Sequence, residues 1–133
     1  MKKFYLAWLL SAGLFFYSNG AARAEVVIMH GIPIIQNRSS KDVTENIKLH
    51  STLQMSNRVL IVKDEGKYYW QTRDRRELVY QKLKKHDLFI DMKTGGYIKV
   101  VPQPDGSYVY MEHISIKRLK SFVYWGHVEV YNP

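Results

Sequence analysis

From residue 57 to the C-terminus, short runs of β-branched and aromatic residues are cut by turn-forming clusters, and this punctuation restricts the chain to an antiparallel β meander. Residues 58–63 are followed by Asp64-Glu65-Gly66, a tight-hairpin signature, and then by residues 67–71. A further run covers 77–82. The next, 87–91, is closed by Lys93-Thr94-Gly95-Gly96, where glycine supplies positive φ without steric cost. Residues 97–101 lead into the Pro102-Gln103-Pro104-Asp105-Gly106 loop, and runs over 107–114 and 121–131 complete the series. In these last two runs both alternating faces are partly apolar, which suits strands covered on each side or lining a small filled barrel. Gly126 within the final run marks a bulge or a bend.

The expected fold is mainly β: a single small antiparallel β-sandwich or partly closed β-barrel built as a meander, with a short N-terminal helix as the open alternative for the region before residue 57. There, Ile47, Leu49, Leu53 and Met55 follow a period of two and favour a strand. The helical alternative rests on the spacing of Val43 from Ile47 and Leu49 from Leu53, with Ser39 and Asp42 as a weak capping box. Residues 25–35 read as an extended segment broken at Gly31 and Pro33, and the proline confines it to a sheet edge. All 12 aromatic residues after Ala24 lie between Tyr68 and Tyr131, so the earlier part adds only aliphatic side chains to the core.

Residues 1–24 have the layout of a secretory signal peptide: Lys2 and Lys3, an apolar run from Phe4 to Tyr17, and the small-residue site Ala22-Arg23-Ala24. The apolar run, about 14 residues broken by Ser11 and Gly13, is shorter than the ~20 a membrane-spanning helix needs. The expectation is export to the periplasm or the medium, with residues 25–133 as one 109-residue domain that has no membrane span. Loss of Lys2, Lys3 and Arg23 lowers the net charge from +8 to +5. With no cysteine, a disulfide framework, a thiolate zinc site and a cysteine nucleophile are excluded. The five histidines are scattered without ligand spacing, so neither metal nor cofactor is expected.

The most distinctive cluster is Arg73-Asp74-Arg75-Arg76-Glu77, close to Tyr68-Tyr69-Trp70 and followed by Lys82, Lys84, Lys85 and His86. Guanidinium groups beside flat rings hold phosphate or carboxylate groups and stack on rings or sugars, so Tyr68, Trp70, Arg73, Arg75, Arg76 and Trp125 form the candidate binding set. Asp74 and Glu77 neutralise part of that charge. No recognition helix, zinc motif or RNA-binding aromatic signature is present, so the expected partner is a protein or an anionic envelope component and not nucleic acid. An acid–base alternative, a small envelope hydrolase, places His113 with Asp91, Glu112 or Glu129, with His127 as a helper. Glu112 and His113 are adjacent on a strand, however, and so face opposite ways. A third alternative is an inhibitor of a secreted enzyme presenting the 102–107 loop. The sequence favours a binding module over an enzyme, because no nucleophile frame or paired catalytic motif is assembled.

Overall fold

The computed structural model describes residues 25–117 and 120–133, so the leader expected over 1–24 lies outside the described residues. Each run read from residue 57 onward is a strand, and every neighbouring pair is antiparallel. In chain order the elements are β1 (Val26–Ser39), β2 (Thr44–Lys48), a helical turn α1 (Ser51–Ser56), β3 (Val59–Asp64), β4 (Lys67–Trp70), β5 (Arg76–Lys82), β6 (Asp87–Ile90), β7 (Tyr97–Pro102), β8 (Tyr108–Lys117) and β9 (Lys120–Tyr131). The sheet order is β2-β1-β3-β4-β5-β6-β7-β8-β9, and β1 also pairs with β9. The result is a closed eight-stranded barrel with β2 as an extra strand, where the sequence suggested a sandwich or a partly closed barrel.

Closure follows from the length of β1. Its first half pairs with β3, from Val26 opposite Lys63 to Gly31 opposite Val59, while Met29 to Ser39 pair along β9. The expectation of a broken edge segment is thereby corrected: β1 runs unbroken through Gly31 and Pro33 and joins the two ends of the meander. Pro33 is tolerated because it falls between the last β3 partner at Gly31 and the first β2 partner at Ile35. On that side its missing N–H forfeits no ladder bond.

The seam between β1 and β9 also explains Gly126. A Cβ there would lie 2.0 Å from the Ile32 carbonyl oxygen and 2.6 Å from the Pro33 Cα. The register shifts between Pro33 and Ile35, so the bulge belongs to β1 and Gly126 makes room for it. The β3–β4 hairpin closes on Glu65 and Gly66, with φ of 52° and 83°, as a two-residue turn whose twist matches its strands.

Residues 44–56 follow both periodicities in succession. The strand favoured through Met55 stops at Lys48, the Leu49 N–H donates to the Ile34 carbonyl at 2.8 Å, and the chain then turns into α1. Leu49 is buried while Leu53 and Met55 remain exposed. The Ser39/Asp42 box caps nothing, because Ser39 ends β1 and the N-cap position of α1 is His50, which makes no side-chain cap bond. Inside the barrel, Met29, Val59, Ile61, Trp70, Phe89, Ile98, Val100 and Tyr110 fill the interior, and Tyr68 and Tyr80 pack against Phe89.

Gly126→Ala is expected to destabilise the protein by about 3 kcal/mol, since the added methyl must push the backbones of β1 and β9 apart. Gly66→Ala, with nothing within 4 Å of its Cβ, carries only the left-handed backbone cost of about 1 kcal/mol. Urea unfolding of the two variants beside the parent separates these outcomes; equal losses would remove the seam argument.

Candidate functional site

Two carboxylates are sunk at one mouth of the barrel, each beneath an arginine. Glu112 occupies an inward position of β8, opposite Ile98 and Tyr124, and is 0% exposed. It accepts hydrogen bonds from Trp70 Nε1 at 2.8 Å and from Arg73 Nε at 3.3 Å and Nη2 at 3.5 Å. Burial pushes its carboxyl above the usual range, and the guanidinium and indole pull it back without cancelling that effect. Asp91, 2% exposed, accepts from the Lys93 N–H at 2.9 Å and the Thr94 hydroxyl at 2.7 Å, and Arg76 Nη1 lies 3.6 Å away. Burial alone would raise Asp91, but these donors and Arg76 hold it below its ordinary 3.8.

The β4–β5 turn places both arginines. The Arg73 N–H donates to the Trp70 carbonyl and the Arg76 N–H to the Arg73 carbonyl, with Asp74 and Arg75 at φ of 56° and 50°. Two consecutive non-glycine residues in the left-handed region are costly and persist only where their surroundings hold them. The Arg73 guanidinium also lies 5.7 Å over the Tyr124 ring, whose hydroxyl accepts from Gln36 Nε2 at 2.8 Å and donates to Asn57 Oδ1 at 3.0 Å. Between these groups opens a cavity of about 320 Å³ lined by Trp70, Thr72, Arg73, Arg76, Asp91 and Thr94.

The six residues of the candidate binding set are thus dispersed. Trp70, Arg73 and Arg76 meet at the mouth, with the Trp70 ring buried. Tyr68 faces the interior against Tyr80 and Phe89. Arg75 stacks on Tyr69 at 4.4 Å on the outside and pairs with Glu25 and with Asp64 at 3.1 Å. Trp125 stands on the outer wall apart from the other five, 48% exposed. The acid–base group is likewise not assembled. His113 faces outward and stacks on Tyr97 with centroids 5.1 Å apart, its buried Nδ1 without a hydrogen-bond partner. Glu112 is inside on Arg73, Asp91 lies beside Arg76, and Glu129 faces His30 at 3.6 Å. The 102–107 loop is a compact reversal: the Gln103 N–H donates to the Ser107 carbonyl and the Ser107 hydroxyl to Asp105.

Strand register reveals a surface around Trp125 that sequence reasoning missed. On the outer wall, Tyr97, His113, Val123 and Asn37 lie in one row across β7, β8, β9 and β1. Lys99, Met111, Trp125 and Ile35 form the next, and Val101, Val109, His127 and Ile32 the third. None of these positions is acidic. A groove of about 440 Å³ runs between Ile35, Lys99, Val101, Val109, Met111 and Trp125. The available signal was the apolar character of the second face of the last two runs; alternation alone does not say which residues become neighbours across strands. Compared with protein-family models, curated proteins and solved structures, the chain gives no match in any of the three.

Because the folded-state pKa of Asp91 is depressed, its stabilisation is complete above about pH 4 and is lost as pH falls through the folded value. Asp91→Asn should cost roughly 1–2 kcal/mol at neutral pH and make stability fall less steeply below pH 4 than in the parent. Urea unfolding at neutral pH and near pH 3 measures both; an acid limb as steep in the variant would show that Asp91 is not a source of acid lability.

Proposed function

We propose that the protein is a non-catalytic binding module of the cell envelope, exported by its leader, whose contact surface is the outer wall of β7, β8, β9 and β1 around Trp125. The observation that carries this reading is the three-row surface itself. It joins solvent-facing tryptophan, tyrosine and aliphatic side chains with Lys99, His113 and His127 as its ionisable groups. Contiguous apolar surface of this kind, unlike scattered single residues, characterises interaction sites, and tryptophan and tyrosine contribute large contact area at low entropic cost.

The mouth is the weaker contact surface. Arg73 and Arg76 are each seated on a buried carboxylate, so most of the charge that would attract an anion is compensated within the protein. Arg75 is similarly engaged by two acids. The aromatic and basic character inferred from the sequence is retained, but it is carried by residues of the wall.

A photo-crosslinking side chain in place of Trp125 is expected to give adducts in intact cells, whereas the same group in place of Leu53, 47% exposed on α1, gives none. Separation of adducts by mass tests this. Equal labelling from both positions, or none from either, would overturn the wall as the contact surface.

A further inference from the structure

Resting on that reading, we infer that the wall docks on an anionic phospholipid surface, with the barrel lying on its side. Its side chains are those that partition into a bilayer interface. Trp125 and Tyr97 have rings with a polar atom, suited to headgroup depth; Ile35, Val101, Val109 and Met111 are aliphatic or thioether; Lys99 is cationic. Trp125 lies opposite Ile35, itself 40% exposed, so two exposed apolar side chains adjoin at the centre of the wall.

Charge complementarity points the same way. The three rows hold Lys99 and two histidines and no acid. The exposed Lys48 of β2 pairs opposite Ile35 and adds a cation beside the wall. The next outward acid along β9, Glu129, lies beyond His127 and faces His30. Each basic side chain brought close to an anionic membrane contributes attraction that salt screens.

Other occupants are less well matched. A second copy apposed through the same wall would bring the Lys99 and Lys48 cations of both copies onto a surface whose three rows hold no acid. A protein partner requires relief that matches the groove and the β1 bulge beside Trp125, whereas a fluid lipid surface needs no shape match. Contact is lateral and not transmembrane, since β3, β4, β5, β6 and β7 are 4 to 7 residues long and a spanning strand requires about 9–11.

The test uses the exported protein, purified after processing, with vesicles of equal parts phosphatidylglycerol and phosphatidylcholine and with vesicles of phosphatidylcholine alone. Co-flotation with the anionic vesicles is expected, with a blue shift of tryptophan emission and weaker binding in high salt. Trp125→Ser should weaken binding about tenfold or more, and Lys99→Glu about fivefold or more, while Leu53→Ser leaves it unchanged. Lys99→Glu is the second variant should Trp125→Ser fold poorly. Absence of flotation, or flotation indifferent to both wall variants, overturns the lipid assignment. If crosslinks from position 125 then fall on a protein, the wall reading stands with a protein occupant; if position 125 gives no adducts, both readings fail.

Discussion

The β1–β9 seam is the constraint on which the rest of this fold depends. A meander of seven strands leaves two open edges, each a row of unpaired N–H and C=O groups. Here a single 14-residue strand covers both, pairing with β3 through its first half and with β9 over most of its length. To do so β1 must bulge between Pro33 and Ile35, and the bulge presses so near β9 that Gly126 is the residue that fits. In a chain without cysteine, no crosslink shares this task. The interior packing of Trp70, Phe89 and Tyr110 presupposes a closed wall around it.

Closure also explains the expenditure of charge at the mouth. Two acids, Glu112 and Asp91, are almost completely buried near one end of the barrel. Buried carboxylates are tolerated only with donors around them. Trp70 and Arg73 supply those for Glu112, while Thr94, the Lys93 N–H and Arg76 serve Asp91. The left-handed turn at Asp74 and Arg75 is the backbone form that lets two arginines from one short connection reach two separate acids. Two arginines of the most conspicuous basic cluster of the sequence, Arg73 and Arg76, are therefore each paired with a buried acid of the fold.

That division marks what a linear reading could and could not reach. Turns announced by Glu65-Gly66, Gly95-Gly96 and Asp105-Gly106 are local, because backbone conformation at those positions is set by the residues themselves. Strands between them were legible for the same reason, as was the special status of Gly126. Pro33 misled because a proline in a strand is excluded only where a neighbour needs its N–H, and the gap between β3 and β2 depends on pairings more than ten residues away. Residues 44–56 carried two periodicities, and the switch at Leu49 is fixed by its bond to the Ile34 carbonyl. Asp64 and Glu25 meeting on Arg75, or Glu112 meeting Arg73, are likewise long-range facts.

The outer wall follows from the same geometry. Large aromatic side chains fill the barrel interior, and in the proposed reading recognition therefore falls to surfaces that the strands present outward. Four adjacent long or well-paired strands hold Tyr97, Met111, Trp125 and Ile35 at spacings fixed by hydrogen-bonded ladders rather than by mobile loops. A surface held in this way loses little conformational freedom on contact, which favours binding even when individual contacts are weak. On the proposed reading, the same closure that hides the edges of the sheet leaves its apolar outer rows for contact.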